Sequence, residues 1–370
     1  MSQMKVFHLI TGLTIGGAEK MLLLTLPKLA EQQMVCSIIP RQKIGEELEA
    51  LGTAVHYLNL RSLFDIRAPY KLWRLLRRER PDILVTYLLH ADIMGRIIGR
   101  LASVPVIVSS LRCAHKDKPW LVKLSRWTVP LAHHFVAVSS SVQRWAEQQL
   151  RVPADKITVI HNGLVVPTLP TNVMKQQLKQ RLQLPADHDI VTYVGRLDPQ
   201  KGLEYLLTAL ALLPETIHQQ LTVLLVGDGP SRASLQQQAN NVGLGSLVHF
   251  LGFRRDVTDL LAVTDIFVSP TMFEGISNAI MEAMSLAKPV ITTDIPENRE
   301  LIDSNQNGIL VQVCNSTALA QHIESLLQHP IERDRLGQNA RATMLRQFSL
   351  EYTLERLNQL FRELYVRHRR

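Results

Sequence analysis

The sequence predicts an α/β chain of two doubly wound domains, each a parallel sheet with helices on both faces. Three observations carry this. Short runs rich in Val, Ile, Leu and Phe recur along the chain and read as buried strands. Longer segments with helical spacing separate them. The alternation then starts again after a stretch punctuated by Gly and Pro. A length of 370 residues favours two domains, and 46% hydrophobic residues are enough for two cores.

In order, KVFHLI (5–10) is the first strand, and MLLLTLPKLAEQQ reads as a helix after the loop GLTIGGAEK. VCSIIP (35–40) and AVHYLNL (54–60) are further short strands. YKLWRLLRRERPD (70–82) is a basic amphipathic helix ended near Pro81. DILVTY (82–87), VPVIVSSL (104–111) and HHFVAVSS (133–140) continue the series. ITVIHNGLVVPTLPTN (157–172) closes it, which puts a boundary near 165–185. The second series is DIVTYVG (189–195), LTVLLVG (221–227), LVHFLG (247–252), DIFVSP (265–270), PVITTD (289–294) and GILVQV (308–313). Helices fill 202–212, 231–241, 256–262 and 277–287. The expected division is 1–170, 171–345 and a terminal helical segment 346–370, whose return to the first domain periodicity does not reveal.

Charge is uneven. Residues 1–170 hold 22 Lys and Arg against 12 Asp and Glu, whereas 171–370 hold 19 against 21. A basic first half can attract nucleic acid, anionic lipid or phosphorylated substrates, or serve solubility alone. It lacks the aromatic, zinc-finger or helix-turn-helix patterns that would favour nucleic acid. Cys36, Cys113 and Cys314 are far apart in sequence and suggest a reducing compartment or buried thiols. No uninterrupted run of 18 apolar residues predicts a spanning helix, and MSQMKVFHLITGL lacks a full signal-peptide pattern.

Several turns can receive an anion. Gly16 and Gly17 precede the first helix, where small residues permit close backbone approach. In VGRLDPQKG (194–202), Arg196 and Lys201 flank a Pro-containing turn and can clamp a diphosphate leaving group, or be independent surface charges. In VGDGPSRASL (226–235), Gly227 and Gly229 shape a turn and Arg232 reads as a surface residue. FEGISNAIMEAM (273–284) places Glu274 at a strand-to-helix transition and Glu282 farther along the helix. Between them Gly275, Ile276 and Ser277 can present backbone N–H groups to phosphate.

FEGISNAIMEAM followed by KPVITTD resembles the E-x7-E region of a retaining family 4 glycosyltransferase of the GT-B fold. GRLDPQKG resembles that family's diphosphate-clamp loop, GGAEK its first-domain glycine loop, and HFLGFRRDVTDLLAVTDIFVSPTMFEG the segment between. The resemblance implies two Rossmann-like domains facing an interdomain nucleotide-sugar cleft. It implies that Arg196 and Lys201 stabilise the departing diphosphate, that Glu274 lies near the donor sugar, and that Glu282 binds ribose. Gly275, Ile276 and Ser277 would meet the diphosphate, and Gly16 and Gly17 the donor or acceptor. Gly252, Phe253 and Arg254 would flank the nucleobase.

The activity implied is retaining transfer from a nucleoside-diphosphate sugar, UDP-sugar first and GDP-mannose second, to a saccharide or lipid-linked hydroxyl in envelope polysaccharide assembly. Many relatives carry His after the strand matching VIVSSL, but this chain has Arg112 there, and His115 does not inherit the role. Arg112 and, second, His90 become candidate sugar or acceptor contacts. No D-x-D motif calls for a metal, and no cofactor is expected. The terminal RELYVRHRR and the basic half raise peripheral attachment to an anionic membrane surface from a cytoplasmic location, against a plain solvated helix. The rival readings are a nucleotide-sugar epimerase or hydrolase, and a catalytically inactive nucleotide-sugar-binding protein.

Overall fold

The computed structural model describes residues 4–14, 17–60, 67–113 and 119–368. Gly16 and His115 lie outside the described residues. The chain forms two compact units, Met1–Gly163 with Leu350–Arg370, and Leu164–Ser349.

The first unit holds strands β1 (Lys5–Ile10), β2 (Gln32–Ser37), β3 (Ala54–Tyr57), β4 (Ile83–Tyr87), β5 (Val106–Leu111), β6 (His134–Ala137) and β7 (Ile157–Val159). They form one sheet in the order β3-β2-β1-β4-β5-β6-β7, with every pairing parallel. The second holds β8 (Asp189–Val194), β9 (Leu221–Val226), β10 (Val248–Gly252), β11 (Ile266–Ser269), β12 (Val290–Thr293) and β13 (Ile309–Val311). Their order, β10-β9-β8-β11-β12-β13, repeats the same plan. Both sheets are therefore doubly wound, and each reverses strand order once, between β1 and β4 and between β8 and β11.

Burial on both faces explains the strand composition. In β1, Val6 and Ile10 join one core, while Phe7 and Leu9 join the core on the other face. β2 begins earlier than hydropathy suggests, because parallel pairing sets Gln32 and Gln33 beside Lys5 and Val6. The chain first passes to the second unit after Gly163 rather than near 170, and Leu164 is bridged to Ser349. The 165–185 stretch is not only linker, since it contains the helix Asn172–Arg181, capped by the Thr171 hydroxyl. The return falls at Leu350, so 346–349 stay with the second unit.

The helix Leu350–His368 belongs to the first unit and buries Leu360, Phe361 and Leu364 in its core. Its Leu364, in RELYVRHRR, is therefore a packing residue and not a free membrane anchor. On the opposite face of the sheet, helix Leu89–Leu101 packs between helices Arg67–Glu79 and Pro119–Thr128. A buried polar knot ties that layer together. Arg96 donates to Ser109 Oγ (2.8 Å), to Ser125 O and Oγ (both 3.2 Å) and to Thr128 Oγ1 (3.2 Å), and lies 3.8 Å from Asp92. Its guanidinium also sits 5.1 Å over the Phe135 ring. Burial pushes the Asp92 carboxyl up to about 6 despite Arg96, so the pair is held by geometry against its desolvation.

Removing one member leaves the other uncompensated. Arg96→Leu is expected to destabilise the protein by about 3–5 kcal/mol in urea unfolding. Amide exchange should rise in β4, β5 and helix Pro119–Thr128 and stay unchanged in β8–β13.

Candidate active site

In a doubly wound sheet, ligands bind beyond the carboxyl ends of the strands, where strand order reverses. In the second unit those ends are Val194 of β8 and Ser269 of β11. The loops that leave them carry the candidates Arg196, Lys201 and Glu274.

The β8 loop makes a tight turn at Pro199–Lys201 that ends on Gly202, with φ +64. A Cβ on Gly202 would lie 2.3 Å from the Pro270 carbonyl oxygen, so only glycine allows the two loops this approach. The Met272 amide donates to Gln200 O (2.8 Å), and the Thr271 hydroxyl reaches the same oxygen (3.3 Å). Thr293 at the end of β12 donates its hydroxyl to Thr271 O, and buried Asn298 donates to Thr292 Oγ1 and Thr293 O (2.9 Å each). On this frame Lys201 Nζ forms an ion pair with Glu274 Oε1, with both side chains mostly buried, at 11% and 20% exposure.

Arg196 takes a different course. Its side chain is 75% exposed, and Nε lies 3.0 Å from Asp198 Oδ2. Its carbonyl is held by the Tyr193 hydroxyl (2.9 Å), a buried phenol whose pKa burial raises well above its ordinary value. The loops of β8, β9 and β10 are zipped by backbone bonds. Gly195 N donates to Val226 O (2.9 Å), Leu197 N to Asp228 O (3.0 Å) and Gly227 N to Gly252 O (2.8 Å). Gly252 closes β10, Phe253 beyond it is 79% exposed, and Arg254 forms a two-bond pair with Asp256 (2.8 and 2.6 Å). Arg232 is not a plain surface residue: it bonds Asp228 (3.1 Å) and Phe250 O (3.2 Å).

Glu274 leads into Gly275, Ile276 and Ser277, and Ser277 caps the helix Asn278–Ser285 with a long bond from Ile280 N (3.5 Å). Glu282 is exposed on that helix, which buries Ile280, Met281, Ala283 and Met284. The two glutamates thus belong to different environments, a loop and a helix face.

The first unit presents its own candidates at the carboxyl edge of its sheet. Gly17 opens the helix Gly17–Thr25 after β1. Arg112 follows β5 and donates to Asn162 Oδ1 (2.5 Å). His90 is the second residue of the helix after β4. Leu88, which precedes that helix, has φ 71 and ψ 148, a region that glycine normally occupies and a mark of backbone strain. A cavity of about 30 Å³ is lined by Tyr87, Ser110, Arg112, His161, Asn162 and Thr353 among others, room for one or two waters.

Sequence reasoning missed the Tyr87 arrangement. Gln33 gives an amide N–H to Glu31 O (3.0 Å), which leaves its Oε1 to accept from His8 Nε2 (2.7 Å). His8 Nδ1 then accepts the Tyr87 hydroxyl proton at 3.0 Å. Burial holds His8 neutral, with its pKa lowered to about 4. A tyrosine at the carboxyl end of a switch-point strand was the available signal. Gln33 gave none, since hydropathy left it outside β2.

Two family descriptions match end to end: "Glycosyltransferase Family 4" over residues 15–166 and "Glycosyl transferases group 1" over 174–343. The solved Anabaena protein Alr3699/HepE superposes with a TM-score of 0.85 in its UDP complex and 0.77 in its UDP-glucose complex. Identities are 24% and 25%, and each comparison covers 97% of this chain and 100% of that one. The chain is a GT-B glycosyltransferase related to family 4 over its first half and to the group 1 glycosyl transferases over its second. Among individual proteins, it is 24% identical to an Escherichia coli UDP-Gal:alpha-D-GlcNAc-diphosphoundecaprenol alpha-1,3-galactosyltransferase, over 99% of this chain and 98% of that protein. It is 28% identical to the lipopolysaccharide core biosynthesis glycosyltransferase LpsE of Rhizobium meliloti (strain 1021), over 96% and 98% respectively.

Two glycines of these loops differ in the space around them. Gly202→Ala strains the backbone and drives the loops apart, so it is expected to cost about 1–3 kcal/mol in unfolding free energy and to weaken UDP binding. A Cβ on Gly275 would meet nothing within 4 Å. Gly275→Ala should leave stability within about 0.5 kcal/mol, so a loss of UDP binding by this variant in calorimetry would mark position 275 as a ligand contact.

Proposed function

We propose that this glycosyltransferase moves a glycosyl group from a UDP-sugar to the hydroxyl of a saccharide or lipid-linked glycan, with retention of configuration, in polysaccharide assembly. The observation that carries this reading is the Lys201–Glu274 ion pair, held where strand order reverses in the second unit. The E. coli relative is named for a UDP-Gal donor and a diphosphoundecaprenol-linked acceptor, and the Anabaena protein was solved with UDP-glucose, which supports UDP and a lipid-linked acceptor here.

In this reading the bond from the anomeric carbon to the diphosphate oxygen breaks, and the acceptor oxygen bonds to the same face of that carbon. The hydroxyl proton passes to the departing phosphate. Charge therefore grows on the diphosphate, and cations already in place stabilise it without reorganisation. An ammonium has three N–H donors. Lys201 spends one on Glu274 and keeps others for a phosphate oxygen. Arg196 is exposed on the same loop and supplies the second cation.

The Glu274 carboxylate accepts hydrogen bonds from sugar hydroxyls while it orients Lys201. Gly275, Ile276 and Ser277 give backbone N–H groups to the diphosphate, and Gly16 and Gly17 approach donor or acceptor. Glu282 receives the ribose hydroxyls, and Gly252, Phe253 and Arg254 flank the base. Arg112 and His90 are assigned to sugar or acceptor contacts, with Arg112 in the position where many relatives have His. No helix among the described residues is long and apolar enough to cross a membrane. A lipid-linked acceptor would then be met at a membrane surface, on its cytoplasmic side in this reading.

The test incubates the purified chain with UDP-, GDP-, ADP- and dTDP-sugars and with saccharide and lipid-linked acceptors, and follows products by mass spectrometry. An acceptor conjugate from a UDP-sugar is expected, with rates reduced by roughly 10²–10³ in Lys201→Ala, Arg196→Ala and Glu274→Ala. A folded Glu274→Ala that transfers at nearly the wild-type rate removes its proposed role. An isomerised or free sugar without conjugate overturns transfer itself.

A further inference from the structure

The outer face of the helical layer in the first unit is unusual for a protein surface. Single exposed apolar residues are common and need no explanation, but several exposed tryptophans with exposed basic residues in one helical layer do. Of the four tryptophans, three lie exposed here: Trp73 (37%), Trp120 (56%) and Trp127 (83%).

Each helix contributes one stripe. On Pro119–Thr128, Trp120, Lys123, Leu124 and Trp127 recur at i, i+3, i+4 and i+7 and are all exposed, while Leu121, Val122 and Ser125 turn inward. On Leu89–Leu101, exposed Ile97, Arg100 and Leu101 share the same spacing. On Arg67–Glu79 the exposed stripe is Tyr70, Trp73, Arg74 and Arg77, with Tyr70 stacked on Trp73 (ring centroids 6.2 Å) and Arg74 6.0 Å from the Tyr70 ring. The middle helix packs against both others, so the three stripes belong to one layer. The buried Arg96 bonds to Ser125 and Thr128 fix the orientation of the Trp120–Trp127 stripe relative to it.

Among the described residues of these three helices, the exposed charge is basic. Helix Pro119–Thr128 has Lys123 and Arg126 and no acidic residue. Asp92 is buried, and Glu79 is half-buried and paired with Arg78 at 2.7 Å. Aromatic side chains beside long basic ones match the boundary between acyl chains and anionic headgroups, where indole rings lodge and Lys and Arg meet phosphate. A second copy of this chain fits poorly, because the face would set its own basic residues against each other.

We propose that the first unit docks on an anionic lipid bilayer through this three-helix face, with Trp120 and Trp127 as the inserted anchors. The docking element is thus the outer helical layer and not the C-terminal tail, whose helix packs Leu360, Phe361 and Leu364 into the core. The proposal is independent of the transferase reading, because vesicles lacking both donor and acceptor test it.

The full chain is sedimented with vesicles of phosphatidylcholine alone and of phosphatidylcholine mixed with phosphatidylglycerol. Binding is expected to the anionic vesicles, to fall with added salt, and to weaken about tenfold or more in the double variant Trp120→Ser, Trp127→Ser. Its circular dichroism melt should match wild type, since both side chains are exposed. Charge reversal at Arg74, Arg77 and Lys123 should remove the salt-sensitive part of binding. The proposal is overturned if wild type stays in the supernatant, if the folded double variant binds as well as wild type, or if binding is lost only when residues 366–370 are deleted. A dimer in lipid-free sedimentation velocity that the double variant abolishes would assign the face to a second copy and overturn it as well.

Discussion

The approach of Gly202 to the Pro270 carbonyl oxygen is the constraint on which the second unit's site depends. Strands β8 and β11 are neighbours, but their connections run to opposite sides, so nothing in the strand ladder alone unites the loops that leave them. The glycine lets the backbones meet, and Gln200 O receives both an amide and a hydroxyl from the facing loop. Only then does Lys201 reach Glu274 in partial burial, where an uncompensated ammonium would carry a large desolvation cost. The buried Asn298 amide and the Thr293 hydroxyl extend the brace to β12, so the facing loop is held from behind as well.

The two units solve the same topological problem with different chemistry. At the carboxyl edge of the second sheet there is a cation, a carboxylate and the exposed Gly275. At the corresponding edge of the first sheet a neutral relay, Tyr87 to His8 to Gln33, lies beside Arg112 and Asn162. Burial lowers the His8 pKa to about 4 and so keeps that relay neutral, and Arg112 lines the cavity next to Tyr87.

Much of this was legible in the sequence, and the parts that were not share a cause. Each anticipated strand exists, because two-sided burial demands near-continuous apolar runs that hydropathy detects. Strand β2 begins at polar Gln32, since its start is set by the neighbour at Lys5 and not by its own composition. The helix Asn172–Arg181 lay hidden in the boundary stretch because it buries no residue fully and so shows no apolar stripe. Glu274 and Lys201 were recognised by motif, yet 73 residues separate them and no spacing announces their contact. Trp120 and Trp127 were visible as letters, but a tryptophan at helical spacing reads as core until the opposite face is seen to be the buried one.

The sequence by itself determined the class of fold, the recurrence of a parallel sheet, the punctuating glycines and the residue types available for binding a diphosphate. These are local properties: hydrophobic period, turn chemistry and charge are set by neighbours along the chain. The tertiary structure decided which of those residues meet. It joined Lys201 to Glu274, turned Arg196 to Asp198, placed Tyr87 against His8, and folded the terminal helix into the first unit's core. Such pairings depend on how strands are ordered in a sheet, and strand order follows from packing between segments distant in sequence.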